Sequence, residues 1–105
     1  PVMGRSIEYA DNRISLFAAQ YGKCAITGLP MEVHEIHCHH KVPVSKGGTD
    51  EYANLILITE AVHVIIHATS ETIIKQYLNN IQLDDSKLEK LNKLRTLAEM
   101  PPIIL

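Results

Sequence analysis

The chemistry in this chain is concentrated in its histidines. Four of the six, His39, His40, His63 and His67, sit where short segments can bring them together. A neutral imidazole is a metal ligand, and with its titration near neutral pH it is also a general base. His63 and His67 lie four residues apart in Glu60 to Ala68, a stretch that reads as a helix. Residues i and i+4 of a helix share one face, so this pair can chelate one cation. His39 and His40 end the run from Glu32 to His40, whose β-branched content and partial alternation predict a strand. Adjacent strand residues point to opposite sides, so one of these imidazoles can take a metal while its neighbour does something else. Ser45 to Asp50 is rich in turn residues, and Asn54 to Thr59 is a short apolar run that predicts a second strand. The expected order is strand, loop, strand, helix.

His-His-x-x-Pro at 39 to 43, Gly47-Gly48, Asn54-Leu55 and His-x-x-x-His at 63 to 67 together resemble the HNH endonucleases, over roughly residues 24 to 68. The resemblance implies an α+β fold, a small ββα-metal (His-Me finger) core at about 33 to 68 with flanking N-terminal and C-terminal helices. Asp11 to Leu16, Gly22 to Gly28 and Cys38 to Lys41 look like the C-terminal endonuclease domain of group II intron-encoded reverse transcriptase/maturases. The activity implied is metal-dependent hydrolysis of a phosphodiester bond in DNA. Intron RNA would then be reached through a parent protein.

The same resemblance assigns roles. His40 holds the His-x-x-Pro position of the family's general base, and a base of near-neutral pKa suits removal of a proton from water. His39, His63 and His67 are the expected ligands of one divalent ion, because three imidazoles with open positions make a catalytic rather than a closed structural site. The ion is Mg, Mn, Zn or Ni; imidazole donors suit Zn, Ni, Mn or Co, whereas Mg prefers oxygen. Asn54 stands at the family's asparagine, expected to constrain the loop or orient the base. Lys41 and Lys46 are the local cations expected to hold the scissile phosphate.

Charge limits what the chain does alone. Its net charge is -2, with five basic and five acidic residues in 1 to 50 and five basic against seven acidic in 51 to 105. Neither half is a basic platform, and phosphate contacts by Lys and Arg usually dominate affinity for nucleic acid. A catalytic module tethered to a DNA-binding partner fits this balance. So does an accessory nucleic-acid-binding or metal-binding domain of the same fold without cleavage. At 105 residues the chain is long enough for one modest core, and shorter than a polymerase with its maturase region. No apolar run reaches the ~20 residues of a membrane span, and the expected setting is cytoplasmic and DNA-associated.

The remaining organisation is inferred from caps and periodicity. Residues 1 to 10 read as a flexible lead or linker, and 11 to 105 as one domain. Asn12 to Tyr21 reads as a helix capped by Asp11 or Asn12 and stopped by Gly22, with Ile14, Leu16, Phe17 and Tyr21 packing. Thr69 or Ser70 caps a helix to about Asn80, and Asp84 or Asp85 starts another, the two filling about 69 to 99. In the last, Leu88, Leu91, Leu94 and Leu97 form a stripe that favours core packing over partner docking. Cys24 and Cys38 are expected as thiols. Cys24-Ala25-Ile26-Thr27 lacks the second cysteine of a zinc knuckle, and a mixed site of Cys24, Cys38, His34 and His37 is weakened by strand alternation, which puts His34 and Cys38 on one face and His37 on the other.

Overall fold

The computed structural model describes residues 6–105 as four helices and a two-stranded antiparallel sheet. The elements are α1 (Ile7–Ala19), β1 (Ile36–His40), β2 (Leu55–Thr59), α2 (Glu60–His67), α3 (Glu71–Asn80) and α4 (Asp85–Leu97). The α+β class and the strand, loop, strand, helix core follow the expected order.

The sheet divides the molecule into two small cores. β1 pairs with β2 in a register running from Ile36 opposite Thr59 to His40 opposite Leu55. Directly paired residues share a face, so Ile36, Cys38 and His40 lie with Leu55 and Leu57, and His37 and His39 lie with Ile56 and Ile58. On the first face Leu55 and Leu57 pack with Tyr9 and Leu16 of α1. On the second, Ile58 packs with Val62, Ile65 and Ile66 of α2, Leu91, Leu94 and Ala98 around α4, and Cys24 and Ile26 from the preceding loop. Each fully buried aliphatic side chain contributes about 1.5–3 kcal/mol, so both faces of the hairpin are anchored by burial. Cys24 and Cys38 pack in different cores and are free thiols. Among the described residues, no helix is long and apolar enough to cross a membrane.

Several boundaries differ from expectation for local reasons. The first helix starts at Ile7, because the Ser6 hydroxyl accepts from the Tyr9 amide and caps it. Residues 6 to 10 of the expected lead therefore form a cap and a first turn with Tyr9 buried, while residues 1 to 5 of that lead lie outside the described residues. Tyr9 and Leu16, two turns apart, form the buried face of α1, which turns Ile14 and Phe17 to the exterior instead of into a core; Tyr21, beyond the helix end, is exposed as well. The helix ends at Ala19, and Tyr21 and Gly22 follow with left-handed backbone. The expected strand from Glu32 begins only at Ile36. Glu32 and Glu35 cap each other's backbone and wind Val33–Glu35 into one 3-10 turn. Asn54 likewise closes a 3-10 turn, Tyr52–Asn54, ahead of β2. Thr59, Ser70 and Asp84 cap α2, α3 and α4. In the leucine stripe, Leu91 and Leu94 are buried and Leu88 packs against them, but Leu97 is exposed. Steps of three residues rotate by about 60° each, so the fourth leucine lies opposite the first.

Candidate active site

The end of β1 and one face of α2 bring three histidines together. The ring centroids of His39 and His63 are 5.2 Å apart, those of His39 and His67 5.4 Å, and those of His63 and His67 4.8 Å. One ring nitrogen from each lies within 4.8 Å of the others. The i, i+4 spacing of α2 supplies two, and alternation along β1 turns the third toward them. His39 is 3% exposed, and its Nε2 is buried without a hydrogen-bond partner. Such an atom costs about 1–3 kcal/mol unless something engages it.

The electrostatics suit a cation at this point. Burial first, and then the neighbouring His63, His67 and His40, push the His39 pKa from 6.5 down to about 3. Burial, with His67 and His37 beside it, lowers His63 to about 4. His67 is lowered by burial and then by the Arg95 guanidinium. All three are therefore neutral at physiological pH, the state in which imidazole binds metal. An orphaned buried nitrogen and three converging neutral donors fit one divalent ion.

Two residues outside the expected ligand set hold this face: His37, which the sequence offered only for a mixed site with Cys24, Cys38 and His34, and Arg95, which it did not single out. His37, two positions before His39, faces the same side, and its Nδ1 lies 3.0 Å from Nδ1 of His63. Arg95, itself 3% exposed on α4, donates from Nη1 to the carbonyls of Ile65, Ile66 and Ala68 at 2.7, 3.4 and 3.0 Å, and from Nε to Pro101 O at 2.8 Å. It thereby satisfies carbonyls at the C-terminal end of α2 that the helix leaves open, and fixes the turn that carries His67. Its signal is its position: Leu91, Leu94, Arg95 and Ala98 share the i, i+3, i+4, i+7 face that meets the core.

His40 occupies the opposite face. Its Nε2 lies 2.8 Å from Asp50 Oδ1, and its ring stacks on Tyr9 with centroids 5.5 Å apart and planes 12° apart. Asp50 is held in turn from α1: the Ser6 hydroxyl donates to Oδ2 at 2.6 Å, and the Asn12 amide donates to the Asp50 carbonyl at 2.8 Å.

The loop between the strands is closed by Asn54. Its Oδ1 accepts from Val42 N at 2.9 Å, its Nδ2 donates to the carbonyls of Val42 and Thr49 at 3.1 and 2.8 Å, and its own carbonyl accepts from Lys41 N at 2.7 Å. The structure thus gives Asn54 backbone partners across the loop. Gly48 permits this closure, since a Cβ there would lie 1.7 Å from Val42 O. Gly47 adopts φ 91°, where glycine is unstrained. Lys46 pairs with Glu99, just past α4, and Lys41 stands at the bend leaving β1.

Comparison with known proteins agrees with this geometry. The family model HNH endonuclease matches residues 22–69, a segment that contains both strands, the Asn54-braced loop, Asp50 and all four clustered histidines. The match points to a nuclease or nucleic-acid-related function with DNA as the implied substrate. No curated protein and no solved structure matches the chain.

Proposed function

We propose that this chain is a metal-dependent DNA endonuclease of the HNH type that hydrolyses a phosphodiester bond and nicks one strand. The observation that carries this reading is the convergence of neutral His39, His63 and His67 on one point, at the end of the strand that also presents His40. His39, His63 and His67 would hold the ion. When bound, a divalent ion stabilises negative charge on the phosphate and on the departing oxygen. His40 accepts the proton of the attacking water. Because His39 and His40 are consecutive and point to opposite faces, the phosphate sits across the end of β1, where both sides can reach it. Asn54 keeps the loop beside His40 closed. Lys41 and Lys46 attract the phosphate, with Lys46 exchanging Glu99 for it.

One such site cuts one strand per domain. Helices α1 and α4 pack directly on the hairpin and α2, so the flanking helices are read as part of the same domain. The net charge of -2 supports a module whose affinity for DNA comes from elsewhere in a larger protein. The motifs at 11 to 16, 22 to 28 and 38 to 41 favour a group II intron-encoded reverse transcriptase/maturase as that protein, with intron RNA as its second partner. The same acidic balance favours the competing reading, an accessory domain that binds metal or nucleic acid without cleavage.

Incubation of the protein with supercoiled plasmid and each of Mg, Mn, Ni and Zn separates the two, with chelated protein as control. Relaxed circles that appear only with metal support the nuclease. Intact plasmid with every metal, despite metal binding measured by calorimetry and despite fusion to a DNA-binding domain, supports the accessory reading.

A further inference from the structure

We propose that Asp50 is the positioning residue for His40, and that the N-terminal end of α1 holds Asp50 in place for that task. This rests on the reading of His40 as the general base. An ionised carboxylate only accepts hydrogen bonds, so the 2.8 Å contact requires Nε2 of His40 to carry the hydrogen. Neutral His40 then presents its lone pair at Nδ1, and Nδ1 is the atom that takes the proton from water.

Four contacts defend this arrangement. Asp50 Oδ1 engages one edge of the ring, and Tyr9 stacks on its face. The Ser6 hydroxyl occupies the second carboxylate oxygen, and Asn12 holds the Asp50 backbone. Moving the hydrogen to Nδ1 would set the Nε2 lone pair against the carboxylate, and flipping the ring would take Nε2 away from Asp50; either change gives up the contact. With His40 neutral, the contact is a hydrogen bond from an imidazole N–H to a carboxylate and not a charge pair, and it matters for orientation. Ser6, Tyr9 and Asn12 all precede the matched segment 22–69, so α1 belongs to the site and not only to the core.

The test compares Asp50→Ala and Asp50→Asn with wild type in three readouts: kcat and KM for plasmid nicking, ring 15N shifts of His40, and the metal-induced rise in Tm. The expected result for Asp50→Ala is a fall of about 10- to 100-fold in kcat with KM little changed. His40 should pass from the Nε2–H form to a mixture of tautomers, with the metal-induced rise in Tm retained. Asp50→Asn keeps the shape and the contacts to α1, and is read in place of Asp50→Ala if the latter does not fold; because its amide can donate to Nε2 as well as accept from it, it should also lower kcat and show mixed tautomers. Wild-type kcat in these variants, or an unchanged Nε2–H form of His40, overturns the proposal. So does a kcat loss accompanied by loss of the metal-induced rise, which would place Asp50 in the fold rather than behind the base. If wild type itself nicks nothing, the nuclease reading fails, while the tautomer of His40 in the variants still decides what Asp50 does.

Discussion

On the α2 side of the hairpin, His39, His63 and His67 face one another, desolvated and neutral, with Nε2 of His39 left without a partner. On the α1 side, His40 is engaged at Nε2 by Asp50 and covered by Tyr9. The same side chain at consecutive positions of one strand is thus left open on one face and tied down on the other. A ligand set must keep its lone pairs free for the ion, at a standing cost to the unliganded fold. A base needs a fixed tautomer and orientation, which neighbouring groups supply by bonding the nitrogen that does not react.

Swapping which side is damaged should separate metal binding from cleavage, and this is the largest effect expected. His40→Ala should lower cleavage by about 10²–10⁴-fold while the metal-induced rise in Tm stays near wild type. His39→Ala, His63→Ala and His67→Ala should each weaken metal binding and cleavage in parallel, because each removes a donor from one chelate. Calorimetric titration beside a nicking assay reads both. If metal affinity collapsed in His40→Ala and survived in His39→Ala, the roles of the two faces would have to be exchanged.

The open face was the more legible of the two in the sequence. The i, i+4 spacing of His63 and His67 needs only a helix, and the opposed directions of His39 and His40 need only a strand; both elements form as local patterns require. The tied face depends on chain contacts that no local pattern encodes. Asp50 sits in a run of turn residues, where a solvated carboxylate is the ordinary outcome, and its brace from Ser6 comes from 44 residues away. Arg95 is hidden for a related reason, since a charged residue in a lysine-bearing helix reads as solvated until α4 is docked under α2. The start of α1 is hidden because Ser6 competes with Asp11 and Asn12 as a cap, and only the burial of Tyr9 against the hairpin decides it.

A smaller effect should appear without any metal or DNA. The depressed pKa values of His39 and His63 mean that the unfolded chain takes up protons the folded chain refuses. Stability of the metal-free protein is therefore fully present above about pH 6.5 and falls as the pH drops toward the folded values near 4 and 3. For buried His39 the loss is on the order of 2 kcal/mol by about pH 4.5. Denaturant melts across this range should show the decline, and His39→Leu should make it shallower, leaving the part that His63 contributes. A wild-type curve that is level between pH 6.5 and 4.5 would mean that these imidazoles are not desolvated, and the contrast between the faces would lose its physical basis.

The smallest expected effect tests whether the open face is wholly open. The Nδ1 atoms of His37 and His63, 3.0 Å apart, can share only one hydrogen. If His63 accepted it, the hydrogen of neutral His63 would be on Nε2, and neither nitrogen would be free to bind an ion. The reading of His63 as a ligand therefore requires His63 Nδ1–H to donate to His37, leaving Nε2 of His63 for the metal. His37 is then an orienting partner behind a ligand, a role whose loss typically costs about 10–100-fold in metal affinity. His37→Phe, which keeps a ring in the same space, should fall at the low end of that range, since the i, i+4 geometry of α2 still directs His63. Raising the metal concentration should restore its cleavage to near the wild-type rate, which it should not do for His39→Ala. Wild-type affinity in His37→Phe would show that α2 alone sets the orientation of His63. A loss as deep as that of His39→Ala, unrelieved by added metal, would make His37 a fourth ligand and the α2 face a four-histidine site.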